Sequence, residues 1–159
     1  MIPTTPAALE AALQERLAPV ARLLGTNWTL RTGWGTVDLE RTVAERSLRV
    51  AEGTPDEPLL GARARLVLSP EWPVVLLEPT TEGRLAASLA RFGEGALALY
   101  VRAGADGFER LRERGSEEGI DLSRMESGAL GRTVLVTGSS PWGPHLLVTD
   151  APPAGTIGP

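Results

Sequence analysis

The side chains able to do chemistry are few, and their types narrow what the protein can do. His145 is the sole histidine, Tyr100 the sole tyrosine, and all 16 basic residues are arginines. The chain has no cysteine and no lysine, which excludes thiolate catalysis, cysteine-ligated metals, Schiff-base chemistry and the lysine of a phosphate-binding loop. One imidazole cannot supply a site that needs two, and no Gly-x-Ser-x-Gly elbow is present for serine hydrolysis. Of the scarcer side chains, His145 offers a general base, the arginines offer anion recognition, and Tyr100, Trp28, Trp34, Trp72 and Trp142 offer burial or stacking.

Strands must position these groups. Residues 96–102 (ALALYVR) alternate so that Ala98, Tyr100 and Arg102 share one face, with Leu97, Leu99 and Val101 on the other. By the same rule His145, Leu147 and Thr149 share a face of strand 144–150, and Pro73, Val75 and Leu77 share a face of strand 72–79. Upstream, Leu9, Leu13, Leu17, Val20 and Leu24 define a helix capped by Thr5, with Pro6 in its first turn, Gly25 at its end and a kink expected at Pro19. Segment 26–36 alternates as a strand, and 38–52 fits helix and strand equally. Residues 62–69 and 72–79 form a hairpin, 81–92 a helix, and Asp106 with Glu109 a capping box for a helix ending at Gly115. Strands are expected at 121–127, 131–138 and 144–150.

Self-similarity organises these elements. Ser69-Pro70-Glu71-Trp72-Pro73 recurs 71 residues later around Ser140-Pro141-Trp142-Gly143-Pro144, each copy lying between two apolar strands. The 159 residues therefore divide into two related modules of one domain, 1–80 and 93–152, joined by helix 81–92. A formal charge of −4 disfavours a broad nucleic-acid or anionic-membrane surface. No apolar run is long enough to span a membrane and no signal peptide is evident at the N-terminus, so a cytoplasmic protein is expected.

Arg91-Phe92-Gly93-Glu94-Gly95 followed by the strand Ala96–Val101, with Leu76-Leu77-Glu78-Pro79 and Leu147-Val148-Thr149-Asp150 closing the modules, resembles the vicinal oxygen chelate superfamily of glyoxalases, bleomycin-resistance proteins and methylmalonyl-CoA epimerases. The resemblance implies an α+β fold of two βαβββ modules whose mixed sheets curl around a cup. Because the first helix follows Met1-Ile2-Pro3 directly, the first module is expected to lack its opening strand, and the resulting sheet edge to be covered in a homodimer. Metal-binding members take ligands from the first and last strand of each module. Three of those positions fall here on Ala98, Val75 and Leu147, which cannot ligate, so no metal and no cofactor are expected.

The implied cup is lined by Tyr100, Arg102 and His145 with Val75 and Leu147, and Trp28 and Trp34 offer surfaces for a planar ligand. Each has a plainer role: a structural His145 at a turn, Tyr100 as a plug, Arg102 paired to Glu94, Trp72 and Trp142 as hairpin packing. Three functions follow. The leading one is metal-independent binding of a small apolar or anionic molecule. The others are a metal-free isomerase or lyase with His145 as base and Arg102 stabilising an anion, and a structural or regulatory dimer module whose cup is plugged.

Overall fold

In the computed structural model, residues 5–138 and 140–150 are described. Helix α1 (Pro6–Leu24) is capped as its sequence requires, the Thr5 hydroxyl accepting from Ala8 N at 3.1 Å, and it runs unbroken through Pro19. Strand β1 (Trp28–Gly35) follows, then α2 (Leu39–Arg46), where Asp38 accepts from Arg41 N and settles the 38–52 ambiguity as a helix followed by a loop. Strands β2 (Ala62–Leu66) and β3 (Val74–Pro79) form the hairpin, and α3 (Arg84–Phe92) links to β4 (Gly95–Ala103). The remainder is α4 (Ala105–Arg114), β5 (Glu126–Gly128), β6 (Gly131–Val136) and β7 (His145–Asp150). Gly104 caps α4 without a side chain, so Asp106 sits in the first turn rather than in a capping box. The expected strand at 121–127 shrinks to β5 and a lone bridge from Leu122 to Val136.

The seven strands form one curled half-barrel sheet in the order β2-β3-β1-β4-β7-β6-β5. In the second half β4 runs parallel to β7, which is antiparallel to β6, itself antiparallel to β5. The first half repeats this with β1 parallel to β3 and β3 antiparallel to β2. The first half is thus one strand short, and the pairing shows where. β1 holds the opening place, between β3 and its counterpart β4, so the shortfall lies at the outer edge, where only residues 49–51 reach β2 through Ala51 N to Leu66 O and Leu68 N to Arg49 O, both 2.8 Å. α1 is an addition in front of that strand rather than the module helix. The unpaired opening edge that argued for a dimer is therefore absent.

Two apolar layers flank the sheet. Behind it, α1 and α4 pack Leu13, Leu17, Phe108 and Leu111 on Leu99, Val101, Leu146 and Val148. On the concave side, Val75, Leu77, Ala98, Tyr100, Leu135 and Leu147 meet Leu60 and the α3 residues Leu85, Leu89 and Phe92. Strand alternation predicts both faces with one exception. A register shift between Gly33 and Trp34 leaves Leu97 as an extra residue, so it joins the concave layer instead of facing the helices.

Candidate functional site

The centre of the concave face is closed. Tyr100, Val75, Ala98 and Leu147 have no exposure to solvent. β1 contributes Gly33 opposite Ala98, where a Cβ would lie only 2.9 Å from that of Ala98 and 3.3 Å from the Tyr100 ring, so the glycine lets the layer close. The Tyr100 hydroxyl donates to Glu57 Oε1 at 2.7 Å, and Ala129 N donates to the same oxygen at 3.3 Å. Glu57 is fully buried, and its Oε2 has no partner among the described residues. Burial raises the pKa of this carboxyl, opposed by the hydrogen bonds from Tyr100, Ala129 and Leu59. Burial and the neighbouring Glu57 push the phenol well up, so Tyr100 remains a protonated donor. A Cβ on Gly128 would overlap the Glu57 carboxyl, so that glycine makes room for it.

His145 belongs to a second closed pair. It is 2% exposed, and its Nε2 lies 2.8 Å from the hydroxyl of Ser88 on α3. Ser88 has one proton and faces two carbonyls, Arg84 O at 3.0 Å and Trp142 O. Whichever of the two groups donates, the contact engages His145 Nε2 with Ser88 Oγ and keeps it from a substrate. Desolvation lowers the His145 pKa to about 4, with Arg84 and Arg16 also disfavouring the cation and a backbone hydrogen bond at Arg84 opposing them. At Gly143 the backbone has φ +83°, and a Cβ there would lie 2.9 Å from the ring. The strand assignment of His145 to the Tyr100 side holds, but the imidazole is spent on fastening α3.

The far end of the same face is different. Arg31 of β1 lies opposite Tyr100 and Arg102 of β4 lies opposite Thr29, so both arginines share the Tyr100 face on neighbouring strands. Both are half-buried. Neither forms an ion pair among the described residues, and Arg102 Nε is buried without a hydrogen-bond partner. Desolvation lowers the pKa of both guanidiniums, and Arg102 lowers that of Arg31 further. Glu94, the carboxylate suggested for Arg102, is committed elsewhere: it accepts from Thr36 Oγ1 at 2.6 Å and Val37 N at 2.8 Å and pairs with Arg41 at 2.6 Å.

The tryptophans require a correction. Trp28 pairs with Ala103 and Trp34 with Ala96, which places both on the helix side with Leu30, opposite Tyr100. Trp34 meets Trp72 edge to face at 5.1 Å, and Arg46 lies 5.1 and 3.9 Å from the two ring centroids. Neither Trp28 nor Trp34 shares a surface with the cup residues. Trp142 carries Arg91 at 4.5 Å and gives its carbonyl to Ser88. Glu57 and Ser88 were not visible from sequence: one sits in an acidic, proline-containing loop that looks solvated, the other on a linker helix, and no spacing rule joins either to the sheet.

The expected ligand positions offer no donor to a divalent metal. Ala98, Val75 and Leu147 present hydrocarbon at three expected ligand positions, and Gly33 opposite Ala98 has no side chain.

A curled sheet of two halves, each pairing its first and last strands in parallel, is the vicinal oxygen chelate fold. Solved structures with this fold include a methylmalonyl-CoA epimerase from Mycobacterium tuberculosis, 19% identical, with TM-score 0.64 over 82% of this chain and 91% of that one. A selenomethionine form of a methylmalonyl-CoA epimerase matches at 16% identity and TM-score 0.60, over 80% of this chain and 99% of that one. A hypothetical protein from Bacillus halodurans matches at 21% identity and TM-score 0.58, over 77% and 94%. No family model and no curated protein matches the sequence. The likeness is one of fold.

Proposed function

We propose that this chain is a metal-independent small-molecule-binding protein of the glyoxalase and bleomycin-resistance type, which takes a small acid at the open end of its concave face with Arg102 and Arg31 as anchors. The observation that supports this reading is the pair of half-buried guanidiniums that no carboxylate among the described residues pairs with. A charge withdrawn from water needs a counter-charge or several acceptors, and an incoming anion supplies both. An isomerase or lyase with His145 as base fits less well, because the ring is buried against Ser88. A structural module with a plugged cup has the zero exposure of Tyr100, Val75 and Leu147 in its favour. The two surviving readings separate in one titration. Calorimetry with small aliphatic and aromatic carboxylates and their neutral amides should show binding of the acids only. Arg102→Ala should weaken that binding by roughly 1.5 to 3 kcal/mol, the range for a hydrogen bond to a charged group. Equal binding of acid and amide, or equal affinity of the two proteins, would reject Arg102 as the anchor, and no binding at all would favour the plugged module.

A further inference from the structure

We infer that the head group this site selects is a dianion of the phosphate type rather than a monocarboxylate. The inference rests on the anion-binding reading above and concerns the charge of the ligand. Arg31 and Arg102 are diagonal neighbours across the β1–β4 pair, each with its own cross-strand partner in Tyr100 and Thr29. Two guanidinium forks on adjacent strands present more donors than one carboxylate can accept, whereas a phosphate offers three acceptor oxygens to both.

Among the described residues no carboxylate pairs with either guanidinium. From β4 the same face carries Tyr100, whose hydroxyl is given to Glu57, and from β7 it carries Thr149, which donates to Leu130 O at 3.3 Å. Thr133, opposite Thr149 on β6, donates to Gly131 O at 2.8 Å. The carboxylates around this face have other partners: Glu57 is bound by Tyr100, Glu126, opposite Thr133 on β5, pairs with Arg124, Asp150 pairs with Arg132 and Glu94 with Arg41. Glu10 and Glu71 line a cavity of about 270 Å³ that also touches Arg31 along the edge of β1, with Trp72 and Leu30, but neither pairs with it. No carboxylate raises the pKa of Arg31, and the cause beyond burial is its repulsion by Arg102. Against two guanidinium charges, a monoanion offsets one and a dianion both.

Calorimetric titration with phenyl phosphate and benzoate, which share an apolar body, tests this between pH 5 and 7.5. The phosphate monoester loses its second proton near pH ~6, whereas benzoate is ionised throughout most of the range. His145, fastened to Ser88 beside Ala98 and with a pKa of about 4, stays neutral above pH 5 and adds no competing titration. At pH 7.5 phenyl phosphate should bind wild type about tenfold or more tightly than benzoate, the lower limit for one added hydrogen bond between charged groups, and the advantage should shrink toward pH 5. Arg31→Gln should bring phenyl phosphate down to the benzoate level and remove the pH dependence, while Arg31→Lys, which restores the charge, should keep both. If wild type binds the two ligands equally at pH 7.5, or Arg31→Gln leaves their ratio unchanged, the dianion inference fails while the acid-binding reading stands. If neither ligand binds, both fail.

Discussion

The two ends of one sheet face treat their polar groups in opposite ways. At the centre, beneath α3, Tyr100 is matched by Glu57 and His145 by Ser88, all four fully or almost fully buried. Two residues further along the same strand, half-buried Arg102 lies diagonally across from Arg31, and among the described residues neither has a counter-charge. Strand β4 runs through both ends, so the difference comes from what is laid over it. α3 and the loop carrying Glu57 cover the centre and supply its partners, and nothing among the described residues does so at the arginine end. A face that satisfies its buried groups internally is finished as structure, whereas one that leaves charges unmatched is finished only by something from outside.

This contrast can be broken at the centre first, where effects on stability should be largest. Tyr100→Ala would remove a fully buried ring and leave the Glu57 carboxyl unpartnered, and should cost about 3 to 5 kcal/mol in urea unfolding. Arg102→Gln, at the open end, should leave stability unchanged or raise it, because it ends the repulsion of Arg31. A Tyr100→Ala protein as stable as wild type would show that the centre is loosely filled and able to take a ligand itself.

The next effect is pH-dependent and belongs to the pair that fastens α3. The folded His145 pKa of about 4 lies below the ordinary 6.5, so the unfolded chain binds a proton that the folded chain refuses. Stability from this residue is complete above about pH 6.5 and is lost as pH falls toward 4, by about 3 kcal/mol at roughly 1.4 kcal/mol per pH unit. Glu57, with its raised pKa, acts in the opposite direction on acidification. The difference between wild type and His145→Gln isolates the histidine. The wild-type advantage should shrink between pH 7 and 4.5, and an advantage independent of pH would mean that His145 is not held neutral.

Much of this face was legible in the sequence. The 71-residue offset of the repeated Ser-Pro segments is the offset of the first residues of β3 and β7, Val74 and His145, and alternation assigns Val75, Leu147, Tyr100 and Arg102 to the concave side. What alternation alone does not give is which side of an isolated strand faces which layer. Trp28, Leu30 and Trp34 share a face in any regular strand, but only the pairing of Leu30 with Val101 shows it to be the helix side. The bulge that turns Leu97 around arises from the β1–β4 register, to which neither strand alone points. The missing strand was assigned to the chain start because a helix stands there, and α1 proves to be an addition ahead of a complete opening strand. Glu57, Ser88 and the Arg31 partnership are contacts between distant segments, set by packing and not by spacing.

The account's central claim, that a ligand meets the arginine end and not the closed centre, is tested most directly by following arginine Nε–H signals in NMR spectra during titration with phenyl phosphate. The account predicts that the signals of Arg31 and Arg102 shift together and saturate, while the signals of Tyr100, His145 and Ser88 stay in place. Saturable shifts centred on Tyr100, His145 and Ser88, with Arg31 and Arg102 unmoved, would contradict it.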